Sequence, residues 1–270
     1  MSSVPRPSAG LGGVLAIVLA LGSGACSSVQ THRLDAPVGE RVVVFVPGVG
    51  GDGATYAGLK RALAAPAGTD LRILDWGLSG PFFVLNLQDP DVHAEAETAL
   101  ARWLETWRAQ NPRASIDLVG HSAGCGVILG ALKRLPAGGT PLVNASPVTP
   151  LPRPDSVDRA VRVRNVVLLA SSVSPGYDLQ PALRHVAGRV HSFHSDRDVW
   201  SLKWRTSASG TYDNVKTPAA GHAGFACAHA CLAQHAYDAA WDALGNDGGH
   251  SGSVAESFVR AVVAPLLGAK

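Results

Sequence analysis

Charge of either sign is sparse in this sequence. Only 16% of residues are charged, 23 Lys+Arg stand against 21 Asp+Glu, and no basic cluster occurs along the chain. Such a balance offers no dense field to hold a polyanion, which argues against nucleic acid as a partner. Long apolar runs are also scarce. The one from Leu11 to Leu21 has about eleven residues, against the roughly 20 that a bilayer-spanning helix needs, and no later run is long enough either. Cysteine is limited to four positions. Cys227 and Cys231 flank His229, but a closed zinc site needs four ligands and no second cluster accompanies them, so no metal is expected. Their spacing of four puts them on one face of a short helix, with a local disulfide as the alternative to two free thiols. No internal repeat is present. With 270 residues, 46% of them hydrophobic, the chain can bury one large core, and one domain is expected.

The N-terminus reads differently from the rest. A single Arg6, the run LGGVLAIVLAL and the small residues Gly22-Ser23-Gly24-Ala25 before Cys26 form the outline of an export signal. Ser23 to Ser28 resembles a bacterial lipoprotein processing site, in which the cysteine becomes the lipidated first residue. Ser23 stands where such sites usually carry Leu, which keeps ordinary periplasmic or secreted export as the alternative. The expected organisation is an export segment over 1–26, a linker over 27–40 and a folded domain over 41–270. Lipid chains at Cys26 would hold the protein to the cell envelope. That leaves Cys125, Cys227 and Cys231, from which at most one disulfide can form.

From Arg41 onward, apolar runs alternate with helix-period segments, the pattern of a mainly parallel sheet covered on both faces. Strands are predicted at Arg41 to Val46, Leu71 to Trp76, Ser115 to Val119, Arg164 to Ala170 and Arg189 to His194. A helix is predicted around Thr55 to Leu63. Another runs from Asp91 to Gln110, where Val92, Ala96, Leu100, Trp103, Leu104 and Trp107 recur at three and four and Asn111-Pro112 ends the run. A third extends to Leu135. A last helix starts near Ser253, where Ser253 and Glu256 have capping-box spacing. The Pro- and Gly-rich stretch from Pro136 to Pro154 reads as a long loop, a surface connection or a lid.

The chemistry concentrates at Gly120-His121-Ser122-Ala123-Gly124, which follows an apolar strand and opens a helix rich in small residues. That is the context of a nucleophile elbow, which exposes a serine hydroxyl above the sheet. A serine hydroxyl is a weak nucleophile at neutral pH and needs a base, oriented in turn by a third group. In this elbow's fold both follow the serine along the chain, acid before histidine. His250, in the flexible turn Gly248-Gly249-His250-Ser251-Gly252, is the first choice for the base and His222 the second. Asp198, in the turn after the strand ending at His194, is the first choice for the acid, with Asp196 and Asp178 as alternatives. The oxyanion formed on attack requires preorganised N–H donors. Ala123 and Val49 supply them on this reading, Val49 lying between glycines that let backbone approach substrate. Trp76, Phe82 and Phe83 are candidates either for an apolar pocket or for the core.

Together, Val46-Pro47-Gly48-Val49-Gly50-Gly51, Gly120-His121-Ser122-Ala123-Gly124, Ser195-Asp196-Arg197-Asp198 and Gly249-His250 resemble the α/β-hydrolase superfamily, in particular its bacterial esterase and lipase-like members. The resemblance covers roughly Arg41 to Leu267. It implies about eight mostly parallel strands with helices on both faces, no cofactor, and hydrolysis of esters, thioesters or amides through an acyl-enzyme. The chain departs from the pattern twice. Many members have His-Gly where it has Pro47-Gly48, and the separation of 52 positions from Asp198 to His250 leaves room for an extra subdomain. The leading reading is hydrolysis of a small-molecule or lipid carboxylic ester by Ser122, His250 and Asp198. Acyl transfer by the same three residues and a non-catalytic envelope binding protein are the alternatives. No feature argues for a dimer.

Overall fold

The computed structural model describes residues 41–77, 86–136 and 161–268. The expected export segment and linker, Cys26, Phe82, Phe83 and the stretch 137–154 lie outside the described residues.

Six strands are present: β1 (Arg41–Val46), β2 (Thr69–Ile73), β3 (Ser115–His121), β4 (Val166–Leu169), β5 (Val190–His194) and β6 (Leu232–Ala236). They form one parallel sheet in the order β2-β1-β3-β4-β5-β6. Strand side chains alternate between faces, and β1 shows this directly. Val42, Val44 and Val46 join one core, with Leu100, Leu104 and Trp107 of α2 (Pro90–Gln110) and Ile128 and Leu132 of α3 (Ala123–Arg134). Val43 and Phe45 join the other, against Leu59 and Leu63 of α1 (Ala57–Ala64) and Phe258, Val259 and Val263 of the C-terminal helical segment over 256–268. Helices on both faces explain why the central strands are nearly unbroken runs of Val, Leu and Phe. The longest helix, α2, starts cleanly because the Asp89 carboxylate accepts from the Asp91 and Val92 amides and Pro90 occupies the first turn.

Several sequence expectations change. About eight strands were expected, and six are found among the described residues. The stretch between Asp198 and His250 contributes β6 to the main sheet. Cys227 lies in coil and Cys231 in the turn before β6, so they share no helix face, and both thiols are free. Ser253 and Glu256 form no capping box: Ser253 sits in a short 3-10 turn with its side chain buried, and Ala255 holds the cap position. Trp76 belongs to the core. No helix among the described residues is long and apolar enough to cross a membrane.

The N-terminal rim of the sheet is tied by ions. Asp117, fully buried on β3, accepts from Nε (3.0 Å) and Nη2 of Arg164 and from the Asn165 amide (3.1 Å), with Arg41 Nε at 3.4 Å. Arg164 Nη2 also donates to the Leu267 carbonyl and Asn165 Nδ2 to that of Leu266, which fastens the chain's last helix to this rim. At the opposite rim the chain leaves β1 toward β2 on one side and later returns to β3 on the other. The loops after β1 and β3 therefore diverge and leave a crevice at their C-terminal ends, where open parallel sheets bind ligands.

Candidate active site

Ser122 stands in that crevice, between β3 and α3, with φ 54° and ψ −123°. A non-glycine residue held there stores about 1–3 kcal/mol of backbone strain, which the surroundings must enforce. They do so through the Ser122 amide, which donates to the Leu169 carbonyl at 2.9 Å, and the Ser122 carbonyl, which accepts from the Ser172 amide at 3.2 Å. Gly124 is obligatory in this turn because a Cβ there would lie 2.2 Å from the Val46 carbonyl oxygen and 2.4 Å from that of Pro47.

His250 arrives from the turn after β6 and faces the serine. Its Nδ1 is 2.6 Å from Asp198 Oδ2 and its Nε2 3.2 Å from Ser122 Oγ. A carboxylate can only accept, so Nδ1 carries the proton and Nε2 is free to accept from the hydroxyl. Asp198 is presented by the turn after β5, where its amide donates to the Ser195 carbonyl at 3.2 Å, and it is only 4% exposed. The structure thus brings together the first choices for nucleophile, base and acid. The alternatives lie elsewhere. Asp196 is exposed, and Asp178 is exposed and accepts from the Gln180 amide at a helix start. His222 sits on the helical turn Ala220–Ala223 and does not line the cavity.

A cavity of about 280 Å³ opens over Ser122, bordered by Val49, Leu87, Leu202, Arg205 and His250. Leu202 and Arg205 come from a π-helical turn, Trp200–Arg205, whose Trp200 and Trp204 stand exposed beside it. The loop after β1 forms another wall, and its polar groups are tied down one by one. Trp76 Nε1 donates to the Pro47 carbonyl at 2.8 Å, and the Gly48 amide donates to Tyr56 Oη at 3.0 Å. The Gly48 carbonyl accepts from the Gly51 amide at 3.0 Å, and the Val49 carbonyl accepts from Asn86 Nδ2 at 2.9 Å. The amides of Val49 and of Ala123, the first residue of α3, donate to no acceptor among the described residues.

Beneath the serine lies a pair of side chains that the sequence did not single out. His121 is buried, with Nδ1 2.9 Å from Tyr56 Oη and Nε2 3.0 Å from the His250 carbonyl oxygen. Burial, helped by the neighbouring His250, pushes the His121 pKa down to about 3, so the ring is neutral. Burial also raises Tyr56 to about 12, so the phenol keeps its proton. His121 occupies a variable place in the serine motif and Tyr56 a helix start, so only their proximity in space reveals them. Among the described residues no group of three His, Cys, Asp or Glu is arranged to hold a metal ion.

No protein-family model and no curated protein matches the sequence. Among solved structures the chain is similar to Aspergillus fumigatus lipase B, at 15% identity and a TM-score of 0.51, over 91% of this chain and 55% of the lipase. The chain therefore spans about half of that lipase's length. It is also similar to the esterase domain of a Rhodothermus marinus protein, at 17% identity, 86% and 89% coverage and a TM-score of 0.45. A cutinase-like protein from Cryptococcus sp. matches at 14% identity, 85% and 96% coverage and a TM-score of 0.40. With its parallel sheet, its serine elbow at the switch point and the overlap with lipase B, the chain has the α/β-hydrolase fold.

Proposed function

We propose that this protein is a serine hydrolase of carboxylic esters that works through an acyl-enzyme on Ser122. The observation that carries the reading is the position of His250, hydrogen-bonded on one ring nitrogen to buried Asp198 and on the other to Ser122 Oγ. His250 Nε2 takes the hydroxyl proton as Oγ forms its bond to the ester carbonyl carbon. The carbonyl oxygen, now negative, is held by the Val49 and Ala123 amides. Collapse expels the alcohol, which leaves with the proton from Nε2. Water then repeats the sequence on the acyl-enzyme, giving its proton to Nε2 and releasing the acid and free Ser122. Asp198 fixes the tautomer of His250 and stabilises the imidazolium that forms transiently.

The cavity of about 280 Å³ suits a short acyl group better than a long hydrocarbon chain. The test is a fluorophosphonate label on protein lacking residues 1 to 26, compared with Ser122→Ala, followed by p-nitrophenyl esters of increasing chain length. Labelling of the wild type alone, with turnover falling beyond butyrate, is the expected result. A folded wild type that neither labels nor turns over would instead favour a binding protein with this fold. Export and lipid attachment at Cys26 belong to the same proposal, and loss of metabolic fatty-acid incorporation in Cys26→Ala is the expected outcome.

A further inference from the structure

We propose that Tyr56 and His121 are positioning residues, forming a buried strut that fixes the distance between the oxyanion loop and the general base. The proposal rests on the hydrolase reading above. It starts from a feature of the topology: the loop that carries Val49 follows β1, whereas His250 follows β6, with three strands between them in the sheet. No backbone hydrogen bond among the described residues joins these two loops. What joins them is a chain of three hydrogen bonds, from the Gly48 amide to Tyr56 Oη (3.0 Å), on to His121 Nδ1 (2.9 Å), and from His121 Nε2 to the His250 carbonyl (3.0 Å).

The direction of every bond in this chain is fixed by its ends. An amide N–H can only donate, so the phenol oxygen accepts from Gly48 and its single proton points to His121 Nδ1. A backbone carbonyl can only accept, so His121 carries its proton on Nε2. One neutral tautomer satisfies the whole chain, and each group in it is used. A protonated His121 would set its Nδ1–H against the phenol proton and place a cation beside His250. Burial of the ring works against that state.

Space around the strut is equally restricted. A Cβ on Gly48 would lie 3.1 Å from Ser122 Cβ and 3.2 Å from Tyr56 Oη, so this backbone passes close to both nucleophile and strut. Tyr56 is packed edge-on against Phe45 of β1 with ring centroids 5.0 Å apart, and the His121 ring lies 4.9 Å from that of His250. Both ends of the strut terminate on backbone of the reaction machinery: the Gly48 residue whose following amide is the Val49 donor, and the carbonyl of the base itself. Loss of the strut would leave each loop intact and let the spacing between them drift. Drift of about 1 Å in such a site costs on the order of 100-fold in rate.

Tyr56→Phe keeps the ring and removes only the hydroxyl. With a short p-nitrophenyl ester, the expected result is a kcat lowered by about 10- to 100-fold with KM changed less than about twofold, and fluorophosphonate labelling slowed in proportion. His121→Asn should show the same split between kcat and KM. The double variant should lose little more than either single one, because the two side chains act as one unit. An independent readout on the wild type is the histidine ¹⁵N spectrum, which should show His121 neutral and protonated on Nε2 from pH 5 to 9. The opposite tautomer would overturn the strut whether or not the variants fold. A kcat for Tyr56→Phe equal to that of an active wild type would overturn it as well. A folded wild type with no turnover and no labelling would instead refute the hydrolase reading, and the positioning role with it.

Discussion

Asp198 and His250 stand 52 positions apart in the chain and meet at 2.6 Å, while Asp196, two residues from Asp198, points to solvent. Burial of one carboxylate and exposure of the other divides their roles. Asp198→Asn is expected to reduce kcat by about 10⁴-fold, because an amide no longer fixes the base's tautomer. Asp196→Asn and His222→Ala should each stay within about twofold of wild type. Steady-state kinetics on the three variants decides this, and a severe loss in His222→Ala would move the base away from His250.

Gly124→Ala tests the elbow itself. With the new Cβ 2.2 Å from the Val46 carbonyl oxygen, either β1 or α3 must shift, at a cost of about 3 kcal/mol or more. Thermal unfolding should show a large drop in Tm or no folded protein, and a Tm within about 2 °C of wild type would contradict the packing described.

Acid should weaken this fold through its histidines. Burial holds His121 down to about 3 and, with the charge of His235 close by, His191 down to about 4. His93, His185, His194 and His235 are lowered as well, again chiefly by burial. Between roughly pH 6.5 and these lowered values the unfolded chain binds more protons than the folded one, so stability falls as pH falls through that window. His191 Nδ1 and His235 Nε2 share one hydrogen bond at 3.1 Å between β5 and β6, and protonating both rings would destroy it. Hydrogen exchange should therefore show β6 amides losing protection before those of β3 as pH is lowered from 7 to 5. Uniform protection over that range would argue against the paired histidines as the weak point.

Asp117→Ala is predicted to destabilise by about 3–5 kcal/mol, since it leaves the Arg164 guanidinium without its buried counter-ion. Denaturant titration measures the loss. The kcat of the fraction that remains folded should be unchanged, because the cluster lies at the rim opposite the serine.

Much of this was legible in the sequence because buried parallel strands have a simple signature. Val42 to Val46 and Val166 to Leu169 are apolar without interruption, and the structure puts both in the middle of the sheet. Leu232 to Ala236 is an edge strand in which Gln234 is exposed and His235 half-buried, and its sequence LAQHA offers no apolar run to announce it. At β2 the expected strand was displaced toward Trp76, whose apolar character reflects core packing after the ladder ends. At the site, glycine-rich turns marked Ser122, Val49 and His250. Tyr56 and His121 carried no such mark, because their partnership exists only once β3 has been laid beside β1.

The two rims of the sheet have different tolerances for change. One is fastened by Asp117, Arg164 and the carbonyls of Leu266 and Leu267, while the other carries the loops after β1, β3, β5 and β6 that surround the cavity. Thr55, Ser201 and Arg205 line the cavity without belonging to the buried core, so on the proposed hydrolase reading directed evolution at these positions can reshape the cavity while leaving both the anchored rim and the packed core untouched.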